Sequence, residues 1–497
     1  MPFFTDKWKR IQGSIQEAVT GESLKAQVFR GGAWMGAGTF SEQVVRFGRN
    51  MLLTRILAPE AFGTMAIVAS AGTILHTLTD IGVKESIIQN PRGAEDRYIS
   101  GAWWLALGRS SFLYAMVFLF APWIAAFYGN HEIAPLLRVA AFTVVLDGAL
   151  SSKAYIAVKQ MKFARWAAFQ NGGGIIGVLI TIGLSFYIRD VWALVLGTVS
   201  ESLIRCLMSY LLFPFLPSFS LDMHAIRDLL KFSKGLFGLA FLNLIFARTD
   251  VFVLAKLFSP AALGLYVVAI NLVQTPAGFI MTLLGQTLLP TFAKVQNNQA
   301  RENRILLRVS SVLVLVGMPV FAFMAFCSRS LLTLFYGARY GAATTALILA
   351  SAVALLNILN GQITTVFYAR GLPQLHRRAV AATAVTMVAL IWPCAKWLGP
   401  AGGQLAALAS IGVGFLFQID RIRHLTGFNL AQYAKAFSLA AGISICVACV
   451  YFGTRPFGYF AGPMPNILLG AVGCLLAYGL AGVILTRRSA EASPSRS

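Results

Sequence analysis

The chain of 497 residues is 57% hydrophobic and only 12% charged, with a mean hydropathy of +0.70. A soluble protein carries roughly 25% charged residues, so composition excludes a water-soluble globular enzyme and points to an all-α polytopic membrane protein. The net charge of +22 has the sign that nucleic acid would want, but the placement of the basic residues assigns it to a membrane surface, with no nucleic-acid partner.

Residues 1–29 mix Lys7, Lys9, Arg10 and Lys25 with Asp6, Glu17 and Glu22 and read as a cytoplasmic or interfacial lead-in. A membrane span needs about 20 mostly apolar residues. Candidates follow at 30–57, 61–88, 98–127, 133–158, 163–188, 191–213, 232–258, 261–289, 305–328, 341–369, 376–398, 402–420, 432–453 and 465–486. The expectation is therefore about fourteen transmembrane helices: an N-lobe over 30–213, a cytoplasmic linker over 214–231, a C-lobe over 232–424, an appended pair within 425–486 and a cytoplasmic tail over 487–497.

With the N-terminus inside, the inner ends hold Arg92, Arg97, Lys159, Lys162, Arg165, Arg227, Lys231, Lys234, Lys294, Arg301, Arg304, Arg308, Arg370, Arg377, Arg378, Arg421, Arg423, Lys435, Arg487, Arg488 and Arg496. The outer ends hold only Arg189, Lys256, Arg329, Arg339, Lys396 and Arg455. This is the positive-inside pattern of a multi-pass protein of a bacterial inner membrane with both termini cytoplasmic.

The chain also repeats itself. RILAPEAFGTMAIV, with Pro59 and Gly63, returns as KLFSPAALGLYVVA, with Pro260 and Gly264, at an offset of 201 residues. FYGN at 127–130 returns as FYGA at 335–338, and YIAVKQMKFAR resembles FYARGLPQLHR, in the same order. The repeat unit is six spans. An even number enters the membrane the same way twice, so the two six-helix lobes should be related by a pseudo-two-fold axis along the membrane normal, with the binding site between them near midplane.

Charges inside apolar spans mark candidate functional residues, because each costs about 2.5 kcal/mol or more at mid-bilayer. EQVVRFGRN in span one places Glu42, Arg46 and Arg49 at i, i+4 and i+7, on one helical face. One carboxylate cannot neutralise two guanidinium groups, so a spare positive charge must face water, an acid on another helix or an anionic ligand. Arg109, Asp147, Glu201 and Arg205 lie at similar depth, the last two at i, i+4 and suited to a local ion pair. The second half offers Asn243, Arg248, Asp250, Asn271, Gln274, Asn357 and Asn360, with Thr364 continuing the last stripe. Arg248 and Asp250, two residues apart, are expected on roughly opposite helical faces. At the repeat offset Glu42 matches Asn243 and Arg49 matches Asp250. A cationic first-half wall suits diphosphate oxygens, and an amide-rich second-half wall suits sugar hydroxyls.

Other features read as architecture. GGGIIG at 172–177 falls inside an apolar span and is a helix-packing or kink motif. Cys446 and Cys449 are small packing residues within a span. His76, near Asp80, Lys84 and Glu85, reads as a cavity-lining or capping residue. No P-loop, metal-ligand cluster or catalytic triad spacing occurs, so neither cofactor nor metal is expected. The outer connections are too short to carry the catalytic loop of a membrane glycan polymerase or ligase.

NMLLTRILAPEAFGTMAIV, LTDIGVKESIIQ, RTDVFVLAKLFSPAALGLY and QTLLPTFAKVQ closely resemble the Wzx-type polysaccharide flippases of the multidrug/oligosaccharidyl-lipid/polysaccharide exporter superfamily. The resemblance is clearest over spans one, two, seven and eight. It implies a V-shaped pair of six-helix lobes that flips undecaprenyl-diphosphate-linked oligosaccharide repeat units by alternating access, coupled to an ion (H+ or Na+, left open) or to the membrane potential. It further implies a polysaccharide polymerase and chain-length machinery as partners. On this expectation Arg46 and Arg49, helped by Arg109 or Arg205, hold the diphosphate. A lipid II flippase, in which an extra helix pair forms a lipid groove, and a MATE-type multidrug exporter are the rivals on the same fold.

Overall fold

A computed structural model describes residues 24–79, 82–160, 162–218, 223–296, 298–427 and 429–435, with scattered positions between 437 and 473. Among the described residues the regular structure is helical. Eight helical stretches are long and apolar enough to cross a membrane, so the protein is multi-pass. Residues 1–23 of the 1–29 lead-in and most of the two appended spans lie outside the described residues.

Two compact units emerge, one of residues 1–57 and 67–241, the other of residues 58–66 and 242–497. The division differs from the expected lobes: the 214–231 linker falls with the first unit, and the Pro59–Gly63 turn falls with the second.

In the first unit, α1 (Leu24–Ile56), α8 (Phe163–Ile188) and α9 (Val191–Leu212) form one layer, with α8 in contact with both of the others. A long helix, α4 (Asp96–Tyr128), packs on the short α5 (Ile133–Ala140) and α6 (Phe142–Gly148), which also touch α9. Two expected spans are not single helices. The second divides into α2 (Pro59–Thr79) and α3 (Val83–Gln89), which opens after Gly82 at φ +62. The fourth divides into α5, α6 and α7 (Ala154–Lys159). The break after Gly148 is held by tertiary bonds. The Ala149 carbonyl accepts from Tyr210 Oη at 2.7 Å and Trp103 Nε1 at 3.2 Å, and the Ser151 N–H donates to Ser209 Oγ at 2.9 Å. These partners replace the backbone bonds that a continuous helix would have made.

Arg138 has a structural role in the same region. Pro122 lies inside α4 and has no N–H to give the carbonyl four residues back. That carbonyl belongs to Phe118, and Arg138 Nε donates to it at 3.2 Å while the guanidinium lies 4.4 Å from the centre of the Phe118 ring. A charge within an apolar element thus satisfies a backbone group the proline left open.

The second unit contains α10 (Met223–Leu257, from residue 242), α11 (Pro260–Ala293), α12 (Gln299–Phe326), α13 (Ser328–Tyr336), α14 (Thr344–Ala369), α15 (Pro373–Leu398) and α16 (Gly402–Thr426). α14 is its central post, packed by α11, α12 and α16. Phe292, Leu306, Leu359, Val366, Phe367 and Phe415 fill the core around it. Tyr433, in the expected thirteenth span, joins this core, and Gly470, in the fourteenth, lies against Phe323 and Cys327. One end of the unit is tied by a buried ion pair. Arg370, the C-cap of α14, forks onto Glu302 in the first turn of α12. Beside it Asn303 Nδ2 donates to the Thr426 carbonyl at 2.6 Å, satisfying the open end of α16.

Pro59 and Pro260 each open a helix, and the two openings meet inside this unit. A Cβ on Gly63 would stand 1.9 Å from the Pro260 carbonyl oxygen, and one on Gly264 would stand 1.8 Å from that of Pro59. Only glycine fits either place.

Candidate functional site

The charged residues of α1 and α9 meet across the glycine face of α8. A Cβ on Gly174 would come within 2.8 Å of Glu42 Oε1, one on Gly177 within 2.4 Å of Glu201 Cβ, and one on Gly173 within 3.2 Å of Arg205 Cα. GGGIIG is therefore a packing motif whose missing side chains make room for four charges. Arg46 donates from Nε to Glu42 Oε1 at 2.9 Å and from Nη1 to Glu201 Oε2 at 3.4 Å, and its Nη2 also reaches Glu201 Oε1. Arg205 Nη2 donates to the same Glu201 oxygen at 2.7 Å.

Two carboxylates balance two guanidinium groups, Arg46 and Arg205, with Glu201 supplying an acid from another helix. The uncompensated cation is Arg49, one turn along α1. Its Nε and Nη2 donate to Asn50 Oδ1 at 3.3 and 3.1 Å, and among the described residues no ion pair includes it.

Arg109 and Asp147 are found together elsewhere in the first unit. They line a separate cleft of about 230 Å³ in the first unit with Lys84, Glu85, Ser152 and Tyr155, beside the break that follows α6. Sequence reasoning missed Ser152 and Tyr155 because the expected fourth span ran through the break. Asp80 and the side chain of His76 lie outside the described residues.

In the second unit five expected residues converge. Arg248, Asp250, Asn271, Gln274 and Asn357 line one cleft of about 380 Å³. Arg248 and Asp250 thus share a cleft, contrary to the expectation of opposite faces. A long Arg stem can carry its head around a helix. Tyr266 and Gln404, not anticipated, complete the wall. Asp250 Oδ1 accepts from the Val251 N–H at 2.7 Å and Oδ2 from Tyr266 Oη at 2.8 Å, while Gln404 Nε2 donates to Tyr266 Oη at 2.9 Å. Gly403 admits this relay, since a Cβ there would lie 2.6 Å from Tyr266 Oη. The one advance signal for Gln404 was an amide inside an apolar run.

The remaining expectations fall elsewhere. Asn243 is exposed on α10 and off the cleft. Asn360 lies outside it on α14, with a buried Oδ1. Thr364 belongs to another cluster, 3.1 Å from His376 Nδ1 and 3.3 Å from Gln418 Oε1.

Comparison with known proteins identifies the family. A family model described as polysaccharide biosynthesis protein matches residues 52–345. The teichuronic acid biosynthesis protein TuaB of Bacillus subtilis is 21% identical over 88% of this chain and 91% of its own length. The lipopolysaccharide biosynthesis protein WzxC of Escherichia coli is 21% identical over 79% of each chain. Among solved structures, the lipid II flippase MurJ in its inward closed conformation superposes with a TM-score of 0.75 at 14% identity, covering 91% of this chain and 99% of that one. That likeness shows the fold, a polytopic bundle of helices, over nearly the whole chain.

Proposed function

The chain belongs to the polysaccharide biosynthesis protein family, and from that premise we propose that it flips polyprenyl-diphosphate-linked oligosaccharide repeat units from the cytoplasmic to the outer face of a bacterial inner membrane. The cargo is destined for a surface or secreted polysaccharide. Both termini are cytoplasmic in this reading, supported by the basic residues at the inner ends, and a polymerase with its chain-length machinery takes the product. The observation that carries it is the second-unit cleft, where Arg248, Asp250, Asn271, Gln274 and Asn357 gather. Amides and hydroxyls that both donate and accept are what a glycan needs.

The diphosphate needs permanent positive charge. Arg49 supports that role on the first unit, because its guanidinium is the one left over once Glu42, Arg46, Glu201 and Arg205 have balanced. A charge at this depth costs about 2.5 kcal/mol or more, and an anionic ligand offsets that cost. Arg46 and Arg205 then act as positioning residues that hold α1 and α9 on α8. Flipping forms and breaks no covalent bond, and the relatives' names describe polysaccharide biosynthesis proteins without assigning this chain a reaction.

The test is made in the host cell. Deleting the gene should leave diphosphate-linked oligosaccharides on the cytoplasmic face, cleared by the wild-type gene but not by Arg49→Ala. Outer-face oligosaccharides unchanged by the deletion would refute the flippase reading. Clearance by Arg49→Ala at the wild-type rate would refute the anchor alone.

A further inference from the structure

We propose that the N-terminal half of α12 binds an anionic phospholipid, whose phosphate meets Arg301, Arg304 and Arg308 and whose acyl chain lies on Val312 and Val316. The occupant is a lipid of the surrounding membrane rather than the cargo. Its leaflet is the inner one on the proposed orientation.

Helical geometry draws the face. Arg301, Arg304 and Arg308 stand at i, i+3 and i+7 of α12, within about 60° of one another at 3.6 residues per turn. All three are exposed. Val312 and Val316 continue the same face and are 53% and 47% exposed. The opposite face, with Glu302, Leu306, Ser310 and Val314, is buried. α12 is long and apolar enough to cross a membrane, so its exposed apolar stripe meets lipid. From Arg301 to Arg308 the helix rises about 10 Å, and the stripe then passes directly from cations to valines. A phospholipid presents the same order, phosphate first and chain after.

Charge is the second support. Between residues 251 and 490 the chain has only two acids, Glu302 and Asp420. Glu302 is buried onto Arg370, and Asp420 lies within ion-pair distance of Arg421 and His424. Among the described residues no ion pair includes Arg301, Arg304 or Arg308. Arg301 also stands in the first turn, where the helix dipole disfavours a cation. Positive-inside charge needs no particular arrangement around a helix. Here the three cations gather on the lipid-facing side, where one membrane anion can reach them together. On α15 the exposed Arg377 and Arg378 are adjacent and diverge by about 100°.

Chemistry then selects the lipid. Guanidinium forks take phosphate oxygens through paired hydrogen bonds, and each basic residue near an anionic bilayer surface adds to the attraction. A zwitterionic lipid offers the same phosphate but brings its own cation to an already cationic face. The preference is therefore for a headgroup of net negative charge.

The experiment offers the purified full chain, in detergent, an equimolar mixture of phosphatidylglycerol and phosphatidylcholine with identical acyl chains. Native mass spectrometry then counts each lipid retained on the folded protein. Wild type should retain phosphatidylglycerol in preference. Arg304→Gln/Arg308→Gln should lower that preference by roughly tenfold or more, and Arg308→Gln alone, should the double variant not accumulate, by a smaller factor. Arg377→Gln/Arg378→Gln removes the same charge from the same end of the unit and should leave the preference unchanged. No preference in wild type, or an equal drop in the two double variants, overturns the site and leaves only a general surface charge. Displacement of the phosphatidylglycerol by inorganic phosphate overturns the lipid as occupant. Retention of a polyprenyl diphosphate ahead of phosphatidylglycerol, lost in Arg304→Gln/Arg308→Gln, reassigns the stripe to the cargo and also overturns it. None of these outcomes refutes the flippase reading.

Discussion

Replacing Glu201 by Gln isolates the role of the charge quartet. Glu201 is the shared acid: Oε1 serves both Arg46 and Arg205, and its side chain is 11% exposed, against 27% for Arg46 and 22% for Arg205. At this degree of burial the pairs are only weakly screened. Removing one partner of a buried pair costs about 3–5 kcal/mol, because a charge is left behind without compensation; partial exposure sets the lower end, about 3 kcal/mol. Glu42 still answers Arg46, so the stranded charge is on Arg205. The double variant Glu201→Gln/Arg205→Gln removes that charge and leaves Glu42 and Arg46 balanced, and should recover about 2 kcal/mol. The assay is the apparent melting temperature of the detergent-purified protein, read from the monodisperse fraction surviving heat. The single variant should melt roughly 5 °C below wild type, and the double should lie between them. A double variant as unstable as the two single changes added together would refute the view that the quartet is one neutral unit.

Three further outcomes follow from contacts in the fold. Gly177→Ala would push a Cβ into Glu201 and should destabilise by about 1–3 kcal/mol, whereas Gly48→Ala, on α1 with nothing within 4 Å, should stabilise by roughly 0.5–1 kcal/mol through helix propensity alone; melting of the two variants side by side checks this. Arg138→Leu should cost about 1–3 kcal/mol by leaving the Phe118 carbonyl unanswered, but much less in the Pro122→Ala background, where a restored N–H takes that carbonyl; equal costs in both backgrounds would refute the assignment. Glu302→Gln, at a carboxylate with no exposure, should cost about 3 kcal/mol or more, visible as early proteolysis of the connections at the Arg370 end of the second unit.

How legible these features were in the sequence depended on whether their causes were local. α8 and α9 occupy 163–188 and 191–212, against expectations of 163–188 and 191–213, because unbroken apolar runs flanked by charges carry their own boundaries. The break after Gly148 was not legible. Its bonds come from Trp103, Ser209 and Tyr210, more than 40 residues away, and nothing in ALSS announces them. The polar residues of the second cleft were visible because each is an anomaly in an apolar helix. Their partners Tyr266 and Gln404 were harder to see, since a tyrosine is at home in a span and one amide near a helix start looks like a cap. Arg46 and Arg49 looked equivalent at i, i+3, and only the arrival of Glu201 from another helix separates a balanced charge from a spare one.

The meeting of Gly63 with Pro260 and of Gly264 with Pro59 is reciprocal: each glycine receives the carbonyl of the other copy's proline, at nearly the same separation. That is the signature of an isologous contact, in which one patch recognises itself across a two-fold axis. Here both patches belong to one chain. A duplicated, fused gene inherits such a self-complementary surface ready-made, and thereafter each copy constrains the other. Substitutions at position 63 or 264 are consequently interchangeable in their steric effect, and neither half is free to drift at this point while the other remains.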